Sequence, residues 1–181
     1  MEIIKVIFAL AVLTLVCIVA PQFVDAIFNG DINKPGMVDS KLVKGQQTVV
    51  ALTPGEWRKA LSPELYKVAR SAGTEAPFSG KYNDFFEQGL YYCYVCGNEL
   101  FSSADKFTSK TGWPSFKQPI NDICTNRYEV DVSLIKRVGV QCSRCTSHIG
   151  YLYTDVVNET DILRYSINSI SLRFISSKIP E

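Results

Sequence analysis

Two Cys-x-x-Cys pairs, Cys93-Tyr94-Val95-Cys96 and Cys142-Ser143-Arg144-Cys145, constrain this chain more than any other feature. Two residues between thiolates let both sulfurs of a tight turn reach one ion. Two such turns complete a tetrahedral all-thiolate shell, and zinc is the metal this pattern predicts. With protein in all four positions the ion is structural and takes no part in catalysis. The competing reading is a disulfide framework, which an oxidising compartment favours. A bridge inside a Cys-x-x-Cys, however, closes only a tiny loop and tends to be redox-active. Two cysteines stand apart, Cys17 and Cys124, and His148 is the chain's one histidine, which excludes any site that needs two. Cys124 reads first as a small buried hydrophobe, with a reactive thiol or a partner for another chain as alternatives.

The compartment follows from the N-terminus. Val6 to Ala20 is an apolar run ended by Pro21, the length of a signal-peptide core and shorter than the ~20 residues a spanning helix needs. Val24-Asp25-Ala26 supplies small residues for cleavage, so residues 1–26 are expected to be a signal peptide that takes Cys17 with it. Its removal leaves no stable membrane span; an uncleaved membrane anchor is the alternative. The sequon Asn158-Glu159-Thr160 agrees with a secretory route, ending in secretion or in residence along the pathway. Of the 181 residues 46% are hydrophobic and 20% charged, which fits a globular chain. Nineteen basic against 18 acidic residues give no electrostatic case for nucleic acid.

Residues 27–52 hold Gly30, Pro35, Gly36 and Gly45 without a sustained period and read as a poorly ordered arm. Thr53-Pro54-Gly55-Glu56 is a helix start with a capping box, and Ser62-Pro63-Glu64 is a second. Trp57 to Arg70 is therefore expected to form two short helices broken near Ser62. Beyond it, glycine and proline punctuate runs rich in aromatic and β-branched residues: 91–95, 128–132, 137–140, 151–153 and 172–175. The expected body, residues 53–176, is mainly β, with a short tail at 177–181.

The residues Gly73-Thr74-Glu75, Pro77-Phe78-Ser79-Gly80, Gly112-Trp113-Pro114-Ser115-Phe116, His148-Ile149-Gly150 and the run Arg164 to Leu172 occur in the order seen in methionine-R-sulfoxide reductases. Over about Trp57 to Phe174 the chain resembles that family, MsrB or SelR, many of whose members bind zinc at two such cysteine pairs. The resemblance implies two antiparallel sheets of the MsrB (β-tent-like) fold with short N-terminal helices. It also implies a shallow pocket for an oxidised methionine of a protein or peptide. In the family a cysteine thiolate attacks the sulfoxide sulfur and becomes a sulfenic acid, which a second thiol or a thioredoxin-like reductant restores.

Carried over by position, Trp113 is the aromatic wall, with Phe116 beside it as a binding residue. His148 is the first of two family histidines, Asn168 positions the oxygen or its water, and Arg164 supports the nucleophile's strand. The nucleophilic cysteine falls at Ser166, the second histidine at Tyr151 and a resolving cysteine at Thr111. A serine hydroxyl needs a strong base beside it and cannot climb the sulfenic-acid ladder, because that ladder is sulfur chemistry. Two functions follow. One is reduction of methionine-R-sulfoxide by descent, with activity weak or lost; the other is a non-catalytic, zinc-stabilised module that binds oxidised methionine or another small or peptide ligand.

Overall fold

The computed structural model describes residues 50–132, 135–157 and 159–177. The expected signal peptide with Cys17, the arm up to residue 49, Asn158 and residues 178–181 of the tail lie outside the described residues. At the inner end of the arm, Val50 donates its amide to the Arg144 carbonyl, and Val50 and Leu52 pack on the core. Among the described residues no helix is long and apolar enough to cross a membrane.

The two helix starts form as their residues predict. The Thr53 side chain accepts from the Glu56 amide while the Glu56 carboxylate accepts from the Thr53 amide, closing a capping box on α1 (Pro54–Ala60). Ser62 accepts from Leu65 to cap α2 (Pro63–Ser71), which buries Leu65, Val68 and Ala69. The helix stops at Ala72, whose left-handed φ of 50° turns its carbonyl away from the axis.

Nine strands follow among the described residues. β1 (Gly89–Cys93), β2 (Glu99–Ser102) and β9 (Leu172–Ser176) form a three-stranded antiparallel sheet in the order β2-β1-β9. The second sheet has six strands in the order β3-β4-β8-β7-β6-β5, again antiparallel throughout. Its members are β3 (Lys106–Phe107), β4 (Ser115–Phe116), β5 (Thr125–Val132), β6 (Ile135–Cys142), β7 (His148–Val157) and β8 (Thr160–Ile167). A 3-10 turn, Ser169–Ser171, links β8 to β9. The fold is mainly β with few short helices, as read from the sequence. Apolar alternation finds β1, β5, β6, β7 and β9, although Val95 belongs to a turn rather than to β1. It misses β2, β3 and β4, too short for a period to register, and β8.

Tyr91, Leu100, Phe101, Phe116, Ile149, Ile167 and Leu172 are fully buried. Phe101 and Phe116 stack with centroids 4.5 Å apart, and Tyr91 meets Phe116 edge-on at 5.1 Å.

Candidate functional site

Each Cys-x-x-Cys closes the same backbone loop between two strands. In the first, the Cys93 amide donates to the Asn98 carbonyl (2.7 Å) and Gly97 donates to Cys93 (2.8 Å). In the second, Cys142 donates to Ser147 and Thr146 donates to Cys142, both at 2.9 Å. The residue after each second cysteine, Gly97 or Thr146, has positive φ (70° and 54°), which folds the loop back and presents both sulfurs on one side. The four sulfurs are buried and lie within 4.8 Å of one another. Cys93–Cys145 and Cys96–Cys142 are 3.7 and 3.6 Å apart, and none of the five described cysteines is disulfide-bonded.

Those separations match the edge of a tetrahedron whose centre-to-sulfur bonds are about 2.3 Å. The cluster is compatible with a metal site, and its surroundings fit the charge such a site carries. A divalent ion with four thiolates is a dianion. The Arg70 guanidinium donates to the Cys145 carbonyl (2.9 Å) and to Ser147 Oγ, while stacked 3.7 Å over Trp57. Buried Arg144 donates to the Cys96 carbonyl, and Asn98 Nδ2 approaches Cys142 Sγ at 3.6 Å. Cys124 is buried behind this cluster, its thiol directed to the Asn121 and Leu100 carbonyls, and burial pushes its pKa up.

On the six-stranded sheet, register aligns one row of residues across neighbouring strands: Tyr128 on β5, Gly139 on β6, Tyr151 on β7, Ser166 on β8 and Ser115 on β4. At Ser166 the row borders a shallow cavity of about 50 Å³, lined by Thr74, Trp113, Arg137, Tyr151, Tyr153 and Ser166. The Trp113 indole is fixed by donation to the Glu75 carbonyl (3.2 Å), and the Arg137 guanidinium lies 5.5 Å over the Tyr151 ring. A larger cleft of about 640 Å³ beside α2 shares only Thr74 with this cavity and contains none of the predicted site residues.

Ser166, Tyr151 and Trp113 thus come together. Arg164 stands two residues before Ser166 on β8, clamped by both oxygens of Asp155 (2.5 and 3.0 Å) and stacked over Tyr153. The Tyr151 hydroxyl is committed to the Ala72 carbonyl at 2.6 Å, and burial raises its pKa. His148 sits behind Tyr151, ring centroids 4.7 Å apart, with its Nδ1 2.7 Å from the Tyr128 hydroxyl. Burial alone lowers its pKa to about 4, so the imidazole is neutral near pH 7. Thr111 pairs with Ser109 (2.8 Å), which also accepts from Ser115.

Two expected roles are corrected. Phe116 is wholly buried between Phe101 and Tyr91 and has no surface to offer a ligand, so it is a core residue. The Asn168 amide makes three hydrogen bonds within the protein. Its oxygen accepts from Thr74 Oγ1 and the Glu75 amide, both at 3.0 Å, and its nitrogen donates to the Ile149 carbonyl. It therefore ties the 74–75 segment to β7 from a buried position instead of facing the cavity. The adjacent Glu75 carboxylate accepts from the Ser169 and Ile170 amides. Sequence reading missed Thr74, Tyr128, Arg137 and Tyr153 as members of the site. Alternation places them on strands or in a loop, and only cross-strand register brings them together.

These features define a mainly β protein with two Cys-x-x-Cys turns that bring four thiols together and, on its six-stranded sheet, an aromatic-walled cavity. The model of the SelR domain family matches residues 61–176. The chain is 44% identical over 119 residues to a peptide methionine sulfoxide reductase MsrB of Chromohalobacter salexigens, covering 66% of this chain and 90% of the relative. It is 43% identical over 138 residues to another MsrB, from Methanosarcina mazei, covering 76% and 92%. A probable methionine-R-sulfoxide reductase B of Caenorhabditis elegans is 42% identical over 120 residues, 66% of this chain and 79% of the relative. The chain belongs to the SelR, or methionine-R-sulfoxide reductase B, family.

Proposed function

We propose that this chain recognises methionine-R-sulfoxide in proteins or peptides and that Ser166, at the family's nucleophile position, leaves it with weak reduction or none. The observation that carries the reading is the lining of the cavity, which contains a serine and no thiol. Four cysteines belong to the knuckle cluster and Cys124 is turned to backbone carbonyls beside it.

Trp113 receives the methyl and methylene carbons beside the sulfoxide sulfur on its ring face. The sulfoxide oxygen, which carries the negative end of the S–O dipole, lies toward the Arg137 guanidinium. Reduction needs two electrons, and a hydroxyl oxygen does not supply them by forming a sulfenic acid. Nor is Ser166 activated as a base-assisted nucleophile. The Tyr151 hydroxyl donates elsewhere and the neutral His148 already meets Tyr128. A thioredoxin-like reductant has work to do only where a thiol is oxidised. Zinc held by Cys93, Cys96, Cys142 and Cys145 braces the fold structurally. The leader and the sequon support a secretory route for the chain.

The test is titration calorimetry of the native chain with separated epimers of an N-acetyl, C-amidated methionine sulfoxide. The R epimer is expected to bind at least about tenfold more tightly than the S epimer, a difference of about 1.4 kcal/mol. Equal binding of the two, or binding of neither, contradicts the reading.

A further inference from the structure

The one histidine has a partner that nothing in its own segment supplies. Tyr128, on the outer strand β5, faces Gly139 across the ladder, and its ring occupies the space a side chain there would fill. A Cβ at position 139 would lie 2.5 Å from Tyr128 Cζ and 3.0 Å from its hydroxyl oxygen. Seated on that bare backbone, the phenol reaches past β6 and brings its oxygen 2.7 Å from His148 Nδ1. The other ring nitrogen, Nε2, is buried and has no hydrogen-bond partner.

Two proton arrangements satisfy a 2.7 Å contact, and they leave different debts. If Nδ1 carries the proton, it donates to the phenol oxygen. The phenol O–H of half-buried Tyr128 is then left to solvent, and the Nε2 lone pair is unused. If the phenol donates to Nδ1, one group alone is left over, Nε2–H. A phenol O–H is a strong donor whose own oxygen accepts weakly, and the unprotonated imidazole nitrogen is a strong acceptor, so donation from Tyr128 to Nδ1 is the favoured arrangement of this 2.7 Å contact. Burial also pushes the Tyr128 phenol up to about 12, which keeps its proton in place to be donated.

We propose that Tyr128 is a positioning residue for His148, fixing the imidazole as the neutral Nε2–H tautomer through its seat on Gly139. The tautomer decides what the histidine can do. Its basic nitrogen is occupied by Tyr128, so it cannot take a proton from Ser166. It offers an N–H behind the Tyr151 wall and holds that ring in place by edge-to-face packing at 4.7 Å. The inference deepens the proposed function and rests on it for its bearing on sulfoxide recognition.

A single histidine makes the experiment unambiguous, because long-range ¹H–¹⁵N spectra of the full chain contain one imidazole. At pH 7 the native chain is expected to show a protonated Nε2 and an unprotonated Nδ1. Tyr128→Phe is expected to shift both nitrogen resonances toward a mixture of tautomers while the remaining backbone amide spectrum is preserved. Gly139→Ala, which pushes the ring off its seat without removing the hydroxyl, is expected to do the same. R-sulfoxide affinity should fall several-fold in both variants. A native Nδ1–H tautomer, or Tyr128→Phe nitrogen shifts identical to the native ones, overturns the proposal. So does a variant whose tautomer is lost while affinity for the R epimer is unchanged. The tautomer is read without ligand, so a chain with the native Nε2–H signal that binds neither epimer refutes the sulfoxide reading and leaves the Tyr128 lock standing.

Discussion

In the function proposed above, one atom at Ser166, oxygen in place of sulfur, separates a binding site from a redox site. Around it several polar side chains are committed to partners within the protein. Asn168 spends its amide on Thr74, Glu75 and Ile149. Asn168→Ala is therefore expected to destabilise the fold by about 2–4 kcal/mol, the cost of leaving the buried Ile149 carbonyl and the half-buried Glu75 amide unpaired and of emptying a buried site, read from urea midpoints. A variant of native stability that had merely lost ligand binding would assign the amide to the cavity instead.

His148 makes a second residue-scale prediction. Its pKa is lowered to about 4 in the folded chain against about 6.5 unfolded, so between those values the unfolded state binds more protons. Stability is then highest above about pH 6.5 and is lost as pH falls toward 4, by roughly 3 kcal/mol in full. Comparing native chain with His148→Gln between pH 7 and pH 4.5 subtracts the contributions of carboxylates and thiols. An identical pH dependence in the two proteins would show that His148 does not carry the effect.

At the scale of elements, the knuckles join the two sheets. Cys93 ends β1 of the smaller sheet and Cys142 ends β6 of the larger, with Cys96 and Cys145 in the turns that follow. A metal there ties together strands that share no ladder hydrogen bonds. Removing it with a chelator at neutral pH is expected to lower Tm by more than about 10 °C, since binding energy at a structural site is folding energy. Added zinc should restore it. A chain indifferent to chelation, with two internal disulfides by intact mass, would contradict the metal reading.

The elements differ in how far the sequence exposes them, for physical reasons. α1 and α2 are legible because a cap is local: Thr53 and Glu56 are three residues apart and satisfy each other's amides. The knuckles are legible because Cys-x-x-Cys fixes a loop whose geometry barely depends on its surroundings. β4 is two residues long, so alternation has nothing to repeat, yet it carries Ser115 beside Ser166. Phe116 shows the converse. It directly follows Ser115 on β4, so it points to the face opposite the row that Ser115 joins and belongs to the core.

For the whole molecule, the site is a row of the sheet. The row runs from position 115 to 166, and five strands must pair in register before Tyr128, Gly139, Tyr151, Ser166 and Ser115 align, with Thr74 and Trp113 added from loops. A slip of one residue in any pairing would turn a side chain to the other face. Motif resemblance could name Ser166, Tyr151 and Trp113 but had no way to find Tyr128, whose role exists only because Gly139 lacks a side chain.

The central claim is that the cavity recognises the sulfoxide while its chemistry has gone with one sulfur atom. It is tested most directly by turnover of methionine-R-sulfoxide with dithiothreitol, measured for the native chain and for Ser166→Cys. The account predicts little or no reduction by the native chain and a gain of at least roughly 100-fold in the variant, the scale a competent nucleophile supplies. Native turnover equal to that of Ser166→Cys would contradict it.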